Sequence, residues 1–189
     1  MPDRLYLSLW VRDFRPDQMT ARWGQLLGAF PFSRLRPGIG LLRVQALGEG
    51  EPPVLEYAFA APPEIQEVLK MASEFSHPDC ALVAEGWWDL WQWEGRWRLL
   101  PSRAALACFG PLFDNEVGDH LRVELGLESQ FLPAANLPQA ARIARSNLRS
   151  VVRLAEEVRR ALPIERRHLW SESGENFAEL ADAALAEAD

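Results

Sequence analysis

Three groups of residues have types and spacings that could do chemistry. The first is Glu85, Trp87, Asp89, Trp91 and Trp93, alternating along one stretch and followed by Arg96 and Arg98. Flat indoles bracketed by carboxylates can hold a sugar, a cationic group or a protein partner, because aromatic side chains supply large rigid contact area. Carboxylates in such a setting could also serve glycoside hydrolysis, which requires two carboxyls about 5–10 Å apart across a cleft. Glu85 with Asp89, and Glu124 with Glu128, are the pairs to consider, although any acidic strand edge has the same composition.

The second group is His77-x-x-Cys80, Cys108 and His120, which together are all the histidines and cysteines except His168. Thiolates and imidazoles favour zinc. Structural zinc sites use two closely spaced ligand pairs, however, and here the second pair is far apart in sequence. Both cysteines also lie in apolar runs, where a thiol is a small hydrophobe. The third group, Asp114-Asn115-Glu116-Val117-Gly118-Asp119-His120, offers oxygens to a hard cation but lacks the calcium-loop spacing. No metal site is assigned.

The familiar catalytic signatures are absent. Gly38-Ile39-Gly40 lacks the third glycine of a dinucleotide loop and opens a strand instead of a helix. There is no phosphate loop, no Gly-x-Ser-x-Gly elbow and no His-Glu-x-x-His. Lys70 is the only lysine, so lysine chemistry has one candidate, on an amphipathic helix. No catalytic residue and no cofactor is assigned, and enzyme activity is left open.

Five of the chain's eight tryptophans fall between Trp87 and Trp97, so the element carrying them organises the rest. Glu94-Gly95 predicts a two-residue hairpin turn, with glycine supplying positive φ. That register sets Trp93 opposite Arg96, Gln92 opposite Trp97, Trp91 opposite Arg98 and Leu90 opposite Leu99. One face then carries Trp88, Leu90, Gln92, Trp97 and Leu99 as core. The other carries Glu85, Trp87, Asp89, Trp91, Trp93, Arg96 and Arg98 as the contact surface, or as a self-satisfied ladder of arginines over indoles.

Around the hairpin, alternation over Arg4–Val11 predicts a strand. Pro16 starts a helix through Met19, Trp23, Leu26, Leu27 and Phe30. Strands follow over Ile39–Leu47 and Val54–Ala60, then a helix from Pro62-Pro63 to Phe75, then the strand from Cys80. The order β-α-β-β-α-β is that of a ferredoxin-like unit, by element order alone. After the hairpin come strands over Arg103–Phe109 and His120–Leu125, an irregular stretch over Gly126–Asn136, a helix over Leu137–Leu162 and a strand over Ile164–Trp170. A last helix capped by Ser171 or Ser173 has Phe177, Leu180, Ala184 and Leu185 inside. The fold class is therefore α+β: a ferredoxin-like first half over residues 1–95, then a β-β-α-β-α half over 96–189. The latter is a degenerate second unit packed on the first or an extension of the same sheet, which would make one domain.

The long helix carries Arg142, Arg145, Arg149, Arg153 and Arg160 away from its apolar seam, read as a solvated flank beside an acidic C-terminal segment. At 189 residues with 48% hydrophobic content the chain can build a real core, and a net charge of −7 argues against nucleic acid. No run of about 20 apolar residues predicts a membrane span. The first ten residues lack the pattern of a secretory leader, and two cysteines make no disulfide framework, so a cytoplasmic protein of bacterial type is expected. The expected role is a non-enzymatic protein-interaction module, immunity-like or self-associating, that uses the tryptophan-rich face. The alternative is a small-molecule or carbohydrate binder, or an enzyme, with Trp87, Trp91 and Trp93 along a pocket.

Overall fold

The computed structural model describes residues 3–134, 136–173, 177, 179 and 181. The strands are β1 (Arg4–Val11), β2 (Ile39–Ala46), β3 (Leu55–Ala58), β4 (Cys80–Trp93), β5 (Trp97–Phe109), β6 (Leu121–Leu127) and β7 (Ile164–Ser171). The helices are α1 (Met19–Ala29, entered through a 3-10 turn at Pro16–Gln18), α2 (Ile65–Ser73), the single turn α3 (Glu128–Phe131) and α4 (Ala140–Ala161). The strands form one antiparallel sheet in the order β3-β2-β4-β5-β6-β1-β7.

The α+β class is therefore observed, with a different strand arrangement from the one expected. β1 is separated from β4 by β5 and β6, so the first four strands do not close into a ferredoxin-like unit. Element order constrains only which segments are strands. Here β1 finds its partners, β6 and β7, in the second half of the chain. The later strands thus extend the sheet on which the earlier ones lie.

Alternation decides which face is covered. Leu5, Leu7 and Leu9 of β1, Leu82, Ala84, Trp88 and Leu90 of β4, Leu106 of β5, and Leu121 and Val123 of β6 all enter one apolar cluster. Trp23 and Leu27 of α1, Val68 and Ala72 of α2, and Leu148, Val151 and Val158 of α4 belong to the same cluster. The three longer helices therefore lie on one side of the sheet. Fully burying one large apolar side chain of this kind stabilises the fold by about 1.5–3 kcal/mol. The opposite face has only a small apolar patch, Ala81, Ala107, Phe109 and Phe113, with Val83 against it.

The hairpin forms, but with a three-residue loop. A two-residue type I′ turn needs positive φ at both central residues. Gly95 takes it, at 71°, whereas Glu94 does not. Arg96 is drawn into the loop, its carbonyl accepting from the Glu94 N–H at 3.0 Å. Trp93 therefore sits opposite Trp97, Gln92 opposite Arg98, Trp91 opposite Leu99 and Leu90 opposite Leu100. A shift of one residue sends β5 side chains to the other face. Trp97 and Leu99, expected in the core, join Trp91 and Trp93. Arg98, expected beside Trp91, lies opposite Gln92 and pairs with Glu94 at 3.6 Å.

β5 runs unbroken through Pro101, where the sequence pattern predicts separate pieces. Proline is tolerated because β5 pairs with β6 only from Ala105 to Cys108, leaving an outer edge free at position 101. α4 begins at Ala140 instead of Leu137, after Pro138 and a left-handed Gln139 at φ 60°. The expected final helix lies outside the described residues, except that Phe177 and Ala181 are buried in the main core. Ser171 and Ser173, expected as its caps, both donate to the Glu128 carboxylate.

Candidate functional site

The seven residues of the expected contact face are distributed over three places. Glu85 is buried on the bare face of the sheet, held by Arg43 at 3.1 Å and by Arg103. Trp87 lies against Gly40, where an added Cβ would come within 2.5 Å of the ring. The Arg36 guanidinium lies over the indole, 3.5 Å from a ring centroid. Asp89 turns to the segment after α1, accepting from the Ser33 hydroxyl and, at 2.9 Å, from the Arg34 N–H. Trp87 and Asp89 thus secure neighbouring loops.

Trp91 and Trp93 remain together at the far end of the ribbon, and the observed register adds Trp97. Trp93 and Trp97 meet edge to face, with centroids 5.2 Å apart and planes at 69°. The Trp97 indole N–H donates to the Pro138 carbonyl, tying the tip to the segment before α4. Between the three indoles and Pro133, Ala134 and Leu137 runs a groove of about 350 Å³, and among the described residues none of its lining side chains is ionisable. Trp93 is 37% exposed and Leu99 43%, while Trp91 and Trp97 are half-buried. Arg96 and Arg98 are exposed at the turn, outside the groove lining.

What aims this end of the ribbon is a residue that sequence reasoning passed over. β2 accompanies β4 only as far as Gly86; just beyond it the Trp87 carbonyl accepts from the Ser33 N–H at 2.7 Å, and among the described residues no strand pairs with the outer edge of β4 at Trp91. Asn147 of α4, 1% exposed, fills the missing position. Its Oδ1 accepts from the Trp91 N–H at 3.0 Å, and its Nδ2 donates to the Trp91 and Gln130 carbonyls at 2.9 and 2.7 Å. Three hydrogen bonds on one buried amide meet the requirement that buried polar groups be paired. The signal in the sequence was a polar residue three after Ala144 and directly before Leu148, on the apolar stripe of the helix.

The carboxylates are not grouped as the sequence spacing suggests: Glu85 and Glu124 flank Ala105 as its cross-strand neighbours, one on each side, while Asp89 and Glu128 are bound by Ser33 and Ser171. Glu124 is bound by Arg4 at 2.5 Å. Burial raises its carboxyl above the usual range, outweighing the opposing pull of Arg4 and Arg103, and the charge of Glu85 adds to the rise. Nearby, burial and a hydrogen bond to Glu172 push the Tyr6 phenol well up. Glu85 is tied to two guanidiniums, those of Arg43 and Arg103.

The residues weighed for zinc are engaged separately. His77 pairs with Asp79 at 2.6 Å, and Cys108 is wholly buried, its thiol pushed up by that burial, with Sγ 3.6 Å from the Met19 carbonyl. His120 stacks on Phe14, and its Nδ1 accepts from the Val11 N–H at 3.0 Å. Among the described residues no group of three or more His, Cys, Asp or Glu side chains is placed to hold a metal ion. In the acidic loop, Asp119 is committed to Arg122 at 2.8 Å, and Asn115 holds the Gly118 turn.

Set beside known protein families, curated proteins and solved structures, the chain matches none. Among the described residues no helix is long and apolar enough to cross a membrane.

Proposed function

We propose that this chain is a non-enzymatic protein-interaction module, self-associating or immunity-like, and that it makes contact through the aromatic groove at the end of the β4–β5 ribbon. The observation that carries this reading is the groove's lining: three indoles face Pro133, Ala134 and Leu137, with no ionisable group among the described residues that line it. Rigid aromatic surface that is partly exposed and already ordered is the composition of interface hot spots, because little side-chain entropy remains to be lost on binding. The seat of contact is thus Trp91, Trp93 and Trp97. Of the residues first considered, Trp87, Glu85 and Asp89 have internal partners, and Arg96 and Arg98 form the rim of the turn.

The alternative of a carbohydrate or enzymatic pocket along Trp87, Trp91 and Trp93 has less support, since Trp87 stands apart under Arg36 and among the described residues no carboxylate lines the groove. We take residues 1–95 and 96–189 as one folding unit, because β4 and β5 pair across that division along nearly their whole length. The proposed setting is a bacterial cytoplasm, in keeping with two free, buried cysteines.

Pull-down with tagged protein from its own cells, followed by mass spectrometry, tests the reading. The wild type should retain a protein partner or untagged copies of itself, and Trp93→Ala should lose them. An exposed hot-spot truncation costs about 2 kcal/mol of binding or more. The melting temperature should stay near that of the wild type. Recovery of the same proteins by both baits would refute the assignment.

A further inference from the structure

The bare face of the sheet holds a second concavity. Cross-strand pairing lays two rows of side chains across it. One row runs Arg43, Val83, Ala107, Arg122, and the next runs Glu85, Ala105, Glu124, Tyr6, each residue paired with the one that follows. Two alanines in the middle, with long side chains on both sides, leave a trough of about 440 Å³. That volume is in the range of small-molecule sites.

Among the described residues four arginines, Arg4, Arg43, Arg103 and Arg122, line the trough with three glutamates, Glu49, Glu85 and Glu124. Glu56, Asp119 and Glu172 are bonded to lining residues as well, so the local charge is largely paired and what a ligand meets depends on which guanidinium N–H groups are left over. Two of the arginines are committed. Arg43 holds Glu56 and Glu85, and all three nitrogens of Arg122 hold Asp119 or Glu49. Arg4 and Arg103 differ. Among the described residues each guanidinium has a single nitrogen engaged, with Glu124 and Glu85 respectively, and their side chains are 49% and 61% exposed. Both lie close enough to Glu124 to act on its charge, and both also line the adjoining depression.

We propose that this trough binds a small-molecule oxyanion, a carboxylate or a phosphate ester, gripped by the unused N–H groups of Arg4 and Arg103. The guanidinium fork matches such groups two bonds at a time. A cationic ligand would have to displace an arginine already paired with Glu85 or Glu124, whereas an oxyanion takes donors that now face water. The methyl of Ala105 leaves the space the ligand's body occupies. This site is separate from the aromatic groove, so either assignment stands or falls alone.

The experiment is a calorimetric and thermal-shift titration of the full chain with citrate, inorganic phosphate and glucose 6-phosphate, each against potassium chloride at equal ionic strength. At least one probe should bind saturably and raise the melting temperature beyond the chloride control. The rank of citrate against the phosphates distinguishes carboxylate from phosphate recognition. Arg103→Gln should weaken that probe at least tenfold in a chain that still melts cooperatively, and Ala105→Leu, which keeps every charge and fills the floor, should do the same. No probe exceeding chloride, or an unchanged Kd in Arg103→Gln, overturns the proposal.

Discussion

At the scale of single residues, Glu124 and Asn147 show how a side chain's surroundings set its behaviour. Glu124 is raised mainly by burial, so the folded protein holds its proton to higher pH than the unfolded chain does. The folded state then binds more protons between the two titrations, and its stability falls as pH rises through that interval. Stability from this group is complete below the ordinary glutamate range and is lost as pH passes the raised value. Urea unfolding of wild type and Glu124→Gln across this range should show the difference, wild type minus variant, declining as pH rises. A flat or rising difference would contradict the placement of Glu124. The pair Glu85 and Glu124 was within reach of the sequence only as separate suspects, because they meet through Ala105 on a third strand. Asn147 was legible as an oddity, a polar residue on an apolar stripe, but its partner, the open edge of β4 at Trp91, exists only once β2 is known to end at Gly86.

At the scale of elements, alternation and helical spacing were strong evidence, and turn chemistry was the weak point. β1, α1 and β2 lie where the periodicity of the sequence puts them, since each has one buried side that repeats with the period of its structure, and β7 lies where expected although half of it is exposed. The hairpin was legible as a hairpin. Its register was not, because that rested on whether Glu94 would accept the left-handed region. It did not, and Trp97 and Leu99 changed sides as a result. Gly95 carries the strain of the loop. Its φ is 71° and there is nothing within 4 Å of where a Cβ would be, so alanine there is penalised by conformation alone. Gly95→Ala should destabilise by about 1 kcal/mol, a left-handed non-glycine cost, and Gly95→Asn by less. A neutral Gly95→Ala in chemical denaturation would mean that the loop is not built this way.

At the scale of the whole molecule, the protein is a seven-stranded sheet with its longer helices on one side. Strand adjacency was the part the sequence could not reveal. β1 meets β6 and β7 across more than a hundred residues of chain, and nothing in local periodicity encodes such a partner. The consequence for function is a division of labour. The helix side is core. The bare side carries the arginine-lined trough, and the ribbon extending past β2 presents the indoles at its end. Large apolar side chains are exposed elsewhere too, among them Leu112 at 72% on the loop after β5, but without an aromatic groove around them. The most direct measurement is site-specific photocrosslinking in the protein's own cells, with a photoreactive phenylalanine analogue placed at Trp93 in one variant and at Leu112 in another. The groove account predicts discrete adducts with a protein partner or a second copy from position 93 and none from position 112; equal labelling at both, or adducts from 112 alone, would contradict it.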